Sequence, residues 1–299
     1  MRKRWLLNLA LLLVILVLAA LVFYTIEEEE EENKQESPKL TDVNGDKVQN
    51  IRIERADKQA IFLMKDALGF WQMTAPFNLP AKRFYIDRLL QVLSVRDYKQ
   101  LEGELNIADF KLEPPLASIK FDQLTVAFGD NAPIGYGQRY VQIKEKVYLL
   151  TDNNIYNMLN GDALTFASLS LLGNNPKIIE LKMPDYHLVL KEGKWSLNSS
   201  FSSDEIDSSA DAISALIDNW QKASAISVTP YHAEDSSATQ GEIDVTLSDQ
   251  ALHLSIVSTA PDLVLARPEK GVQYQFYVNQ VDKLLRLPAK KSSEESAPE

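Results

Sequence analysis

Four carboxylates, Asp204, Glu205, Asp207 and Asp211, crowd one short segment of this chain. Groups of this kind can cleave glycosides when two of them stand at a fixed separation, or bind calcium when several oxygens converge. The spacing here encodes neither arrangement, and acidic residues at a helix start also answer the helix dipole. The histidines His187, His232 and His253 are scattered and show no H-E-x-x-H or other ligand spacing. His187 and His253 fall in strand-like segments and are read as sheet-face residues. With no cysteine there is no thiol nucleophile, disulfide, cysteine metal site or lipid-modified cysteine. No G-x-S-x-G elbow, Walker loop or G-x-G-x-x-G fingerprint occurs, and Gly135-Tyr136-Gly137 is too short to cradle a phosphate. Lys82, Arg83 and Arg88 make a small basic spot, read as a solvated face that could touch an acidic partner. No catalytic, cofactor-binding or metal residue is assigned, no cofactor is expected, and the chain is expected not to be an enzyme.

The formal net charge of −11 disfavours nucleic acid and anionic lipid surfaces as partners. The apolar run from Leu6 to Ile26 spans roughly 31 Å as a helix, against a hydrocarbon core of about 30 Å. It is predicted to be one transmembrane helix, residues 6–26. Arg2, Lys3 and Arg4 hold residues 1–5 in the cytoplasm and place the body outside. A cleaved secretory signal ending near Leu18-Ala19-Ala20 is the alternative, and it exports the same residues. An exported body without disulfides fits a bacterial inner membrane with a periplasmic domain. Residues 27–47 read as an acidic, solvated stalk with a turn at Val43 to Asp46. Within it, Glu27 to Glu32 is read as a repelling charge run rather than a cation site. Residues 288–299 read as a disordered tail.

The elements between are predicted as an α+β fold, a duplicated, largely antiparallel sheet-plus-helix body, with units at 48–172 and 173–287 and a period of about 124 residues. Ile51, Ile53, Ile61 and Leu63 alternate in two runs that close on Gly69-Phe70-Trp71. Ile179, Leu181, Leu188 and Leu190 do the same before Gly193-Lys194-Trp195. Both tryptophans are read as core residues. Each copy continues into an amphipathic helix. The first carries Ile86, Leu89, Leu90 and Leu93; the second carries Ile206, Ile213, Leu216, Ile217 and Trp220, with Ser203 or Asp204 as its cap. Strand-like segments follow at 118–121, 124–128, 140–143 and 147–150, and at 243–247, 252–257, 263–266 and 274–278. Turns are expected at Gly129-Asp130-Asn131 and Lys144-Glu145-Lys146, and short helices at 154–159 and 280–287.

Phe110-Lys111-Leu112-Glu113-Pro114-Pro115, Leu124 to Phe128, Gly129-Asp130, Arg139-Tyr140-Val141 and Val147-Tyr148-Leu149 resemble a bacterial family known as domain of unknown function 4340. Ile51, Ile53, Ile61, Leu63, Trp71, Pro76 and Leu89-Leu90 extend the resemblance upstream. It covers Val48 to Leu172 well and the second copy loosely; after Trp195 the copy has Ser199-Ser200 where the family has proline. The family brings no catalytic residues to carry over. Resemblance to it implies a single N-terminal anchor and an accessory role beside an ABC-type transport system of the kind associated with gliding motility. The partners it implies are the inner membrane through 6–26 and other envelope or ABC transporter proteins. The alternative is a periplasmic ligand-binding protein or hydrolase using a carboxylate cleft between the repeats.

Overall fold

A computed structural model of the chain describes residues 17–18, 38–135, 137–152, 154–202, 204–232, 234 and 239–290. The expected transmembrane run therefore lies outside the described residues except at 17 and 18, as do Ser203, Tyr136, most of the acidic stalk and the tail from 291. Among the described residues no helix is long and apolar enough to cross a membrane.

The first sheet is built from β1 (Asn50–Arg55), β2 (Lys58–Lys65), β3 (Trp71–Ala75), β4 (Leu79–Pro80), β5 (Tyr98–Gln100), β6 (Ala117–Phe121), β7 (Leu124–Asn131), β8 (Gln138–Ile143) and β9 (Lys146–Thr151). Helix α1 (Arg83–Gln91) lies between β4 and β5, and α2 (Ile155–Leu159) follows β9. The second sheet takes β10 (Ile178–Lys182), β11 (Tyr186–Lys191), β12 (Lys194–Ser199), β13 (Ser227–Pro230), β14 (Gly241–Leu247), β15 (Ala251–Ser258), β16 (Asp262–Arg267) and β17 (Val272–Tyr277). Helix α3 (Ala210–Gln221) precedes β13, and α4 (Gln280–Leu284) follows β17. The spatial orders are β4-β3-β2-β1-β6-β7-β8-β9-β5 and β12-β11-β10-β14-β15-β16-β17-β13. With β4 set aside, the two sheets have one and the same connectivity, and the paired strands are antiparallel throughout.

Alternation explains the strands. In β1 the burial pattern turns Ile51 and Ile53 inward, where they pair with Leu63 and Ile61 of β2. The β11–β12 hairpin turns on Glu192 and Gly193, both at positive φ as a two-residue turn of this hand requires. Helix α1 buries Ile86 and Leu89, and α3 buries Ile213, Leu216, Ile217 and Trp220. These faces and the inner faces of both sheets form one apolar cluster. Trp220, fully buried, donates its indole N–H to the Leu284 carbonyl at 2.7 Å and so ties α3 to α4.

The chain passes from one sheet to the other through an extended seam. Ala167 bridges Ala81 just past β4, and three residues later Ser170 bridges Ser224 just before β13. Backbone bonds from Leu171 N–H to Ala223 and from Ala225 N–H to Leu169 lock the second contact. The two sheets are thus separate but joined edge to edge.

Several sequence expectations are corrected. Ile206 lies outside α3 although its spacing to Ile213 is helical, because it bridges Ala289; the helix starts at Ala210, capped by Ser209 accepting from Ala212 N–H at 3.3 Å. The tryptophans lie in a third strand of each unit and are half-buried rather than central. Gly129 to Asn131 is a bulge inside β7, not a turn. A Cβ at Gly129 would meet the Phe110 carbonyl oxygen at 2.2 Å, so only glycine permits that approach. The end of the expected stalk is docked on the body: Leu40 is buried and donates to Val95, and Thr41 bonds the Leu93 carbonyl. Residues 288–290 likewise belong to the second unit, since Asp207 N–H bonds Pro288 and Lys290 N–H bonds Glu205.

Candidate functional site

The seam encloses a cleft of about 680 Å³. One wall comes from the β1–β2 hairpin (Arg55, Lys58), the β3–β4 loop (Pro76, Phe77) and the start of α1 (Lys82, Tyr85). The floor is the 161–169 segment, and the far wall is Ile226 to Pro230 of the second sheet's edge. Ile226 is 41% exposed there. Three cations and one carboxylate, Asp162, line the cleft, which gives it a positive balance inside an acidic chain.

Each cation is held differently. Arg55 is buried and donates to the carbonyls of Leu159 at 3.3 Å, Gly161 at 2.7 Å and Gln59, clamping the β1–β2 hairpin to the end of α2. Burial lowers its pKa, and the charge of Asp162 opposes that shift. Among the described residues its Nε finds no partner. Lys58 donates to the Asn160 carbonyl and is exposed. Lys82 stands with its ammonium 5.0 Å from the Tyr85 ring centroid. Chemically, the cleft combines apolar walls with two accessible ammonium groups, a surface for an anionic, partly apolar guest.

A second polar constellation covers the solvent face of the second sheet. Antiparallel register sets His187, Lys182, Asp244 and His253 in one cross-strand row. His187 Nε2 lies 2.7 Å from Glu180, whose other oxygen accepts from Thr246. His253 lies between two carboxylates, Nδ1 2.7 Å from Asp244 and Nε2 2.9 Å from Glu242. The Nδ1 contact is a hydrogen bond, and Glu242 adds its charge from the Nε2 side. The hydrogen bond to Asp244 raises the His253 pKa, burial opposes it, and the charges of Glu242, Asp244 and Glu269 add to the rise. In the neighbouring cross-strand pair, Ser255 donates to Glu242 at 2.9 Å.

The acidic segment has a different use. Glu205 accepts from the amide and hydroxyl of Ser202, and Asp207 accepts from Ser209 N–H at 2.9 Å. These bonds hold both carboxyls below their ordinary range. Asp211 sits in the first turn of α3. The structure does not bring the four to the seam, and among the described residues no three histidines or carboxylates are gathered to hold a metal. Of the basic spot, Lys82 reaches the cleft, whereas Arg83 pairs with Asp87 at 3.4 Å on the surface. Arg55, Lys58 and Asp162 were not marked by any spacing in the sequence; the signal available was a buried-strand arginine at the end of an alternating run.

The deciding comparison is with protein families: the model for a domain of unknown function, DUF4340, matches residues 71–241, more than half of the chain. The chain belongs to the DUF4340 family. The match opens at Trp71 and closes at the start of β14, so it does not coincide with 48–172, where the sequence patterns resemble the family. The DUF4340 segment crosses the seam and contains most of the cleft, with Arg55, Lys58 and Gln59 supplied from before it. It also holds the Arg139–Asp152 pair, 2.7 Å apart and nearly buried, in which Arg139 bonds the Gly129 carbonyl and lies 4.0 Å from the Tyr156 ring centroid. No curated protein and no solved structure matches the chain.

Proposed function

We propose that this DUF4340 protein is a single-pass, membrane-anchored, non-enzymatic component of an ABC-type transport or envelope-assembly system, with its body in the periplasm of a bacterial inner membrane. In this reading the seam cleft receives an acidic, partly apolar segment of another protein of that system. The observation that carries it is the cleft lining, in which Lys58 and Lys82 face apolar walls contributed by both sheets. The apolar run at 6–26, the charge bias before it and the family resemblance support the anchor and the transport context.

The same cleft favours a second reading, a periplasmic ligand-binding protein. Because Asp162 is the one carboxylate in the lining, the ligand in that case is a small anion, and the lining offers little to hydrolysis by paired carboxylates. Crosslinking of the full-length protein in its native membranes, followed by isolation and mass spectrometry, separates the two. Recovery of a transporter permease or its neighbours is the expected result. Recovery of this chain alone, under conditions that retain a known membrane complex, contradicts the accessory role.

A further inference from the structure

The seam is written twice in this chain but completed once. In the first unit Lys82 N–H bonds Phe166 and Ser168 N–H bonds Pro80 around the Ala81–Ala167 bridge. In the second, Asp207 N–H bonds Pro288 and Lys290 N–H bonds Glu205 around the Ile206–Ala289 bridge, which is the same pattern. Beyond the first bridge, Ile226 to Pro230 of the second sheet supply the far wall of the cleft. Beyond the second there is an open groove of about 420 Å³ lined by Phe201, Ile206, Leu285, Leu287 and Ala289, with Asp185, Glu205 and Arg286 on its rim.

The adjoining sheet edge is open too. In the first unit β3 is covered by β4, with Met73 paired to Leu79 and Gln72 to Pro80. Its counterpart β12 ends the second sheet, and among the described residues no strand pairs with its outer side. Because Lys191 and Lys194 flank the two-residue hairpin turn, the backbone amides of Trp195, Leu197 and Ser199 point outward. That row ends beside Phe201, which is 44% exposed. Arg286 is paired with Asp282 at 2.6 Å, so Asp185 and Glu205 leave the rim acidic.

We propose that this end of the second unit docks an extended segment of a partner protein. The segment adds antiparallel along β12, as β4 does on β3, with an apolar side chain in the Phe201–Leu287 groove and a basic side chain facing Asp185 and Glu205. A second copy of this chain does not fit the role that β13 plays at the seam. Where β13 is preceded by Ile226 and carries Val228, the three-residue β5 exposes Lys99 and Gln100. The surface is separate from the seam cleft, so the two readings stand or fall independently.

The test places a photoreactive benzophenone amino acid at position 198 or 201, both exposed, in the full-length chain in its own cells and sequences the crosslinked peptides. Both probes are expected to join one segment of a single other protein, and Leu197→Pro is expected to cut the adduct at 201 at least tenfold by removing an outward amide. Phe201→Glu, a change at an exposed position, is expected to cut the adduct at 198 similarly and covers the case in which the proline variant misfolds. Adducts with residues 291–299 of the same chain, adducts with a second copy, adducts with unrelated segments, or no adduct at either position would overturn the proposal.

Discussion

In the first unit, β4 covers β3 and the chain then bridges Ala81 on its way into the second sheet. In the second unit the corresponding bridge, Ile206 with Ala289, is followed among the described residues by no strand that pairs with the outer side of β12. The helices differ in the same sense. Helix α3 begins on Ser209, whose hydroxyl caps it, whereas α1 begins on Lys82, which provides no side-chain cap. A shared strand order is what packing demands of both copies, since each must bury one face of a sheet under a helix. The departures from it are found at the seam cleft and at the open end, where a surface rather than a core is being shaped. Lys82 shows this most plainly: a serine there would serve the helix better, and the lysine instead lines the cleft.

The tryptophans break the comparison most sharply. Trp220→Ala removes a fully buried ring and its bond to Leu284, and is expected to cost about 3–5 kcal/mol in denaturant unfolding. Trp195→Ala removes a half-buried ring from an open edge and is expected to cost about 1–2 kcal/mol. Equal losses would show that the second unit is not ordered about Trp220.

The helix caps come next. Ser209→Ala is expected to destabilise the body by about 1 kcal/mol, while Lys82→Ser is expected to stabilise it by about 0.5 kcal/mol, measured as opposite shifts of the unfolding midpoint. A loss of stability in Lys82→Ser would assign the lysine a structural role instead.

The smallest effect is expected on the solvent face of the second sheet. The His253 pKa is raised in the folded state, chiefly by the Asp244 hydrogen bond. Its contribution is therefore complete below the unfolded imidazole value of about 6.5 and is lost as pH rises through the higher folded value. His253→Gln is expected to flatten stability against pH in that window only, and an unchanged pH profile would show that the bridge to Asp244 and Glu242 contributes nothing in solution.

What the sequence disclosed followed the periodicity of long elements. The alternation at Ile51, Ile53, Ile61 and Leu63, and the segments near 118–150 and 243–278, correspond to observed strands, and both amphipathic stripes correspond to helices. The strands β5 and β13 were not legible, because each is short and pairs with the last strand of its sheet rather than with a neighbour in sequence. Ile206 misled by arithmetic, being seven residues from Ile213 yet fixed by a bridge to Ala289. The cleft was illegible for a related reason: Arg55, Lys82, Asp162 and Ile226 are brought together by the seam, and no local spacing records a seam. His187 and His253 were read correctly as lying in strands, but their carboxylate partners depend on which strands pair, and that order is set by the fold.

Reversing charge in the cleft tests its role most directly. Full-length protein carrying Lys58→Glu and Lys82→Glu is compared with wild type, and with a Glu242→Lys control on the second sheet, by quantitative mass spectrometry of crosslinked complexes from native membranes. Wild type and the control are expected to recover the same transport component, with recovery by the cleft variant reduced at least tenfold. Equal recovery by all three, or loss in the control alone, would contradict the assignment of the cleft as the binding site.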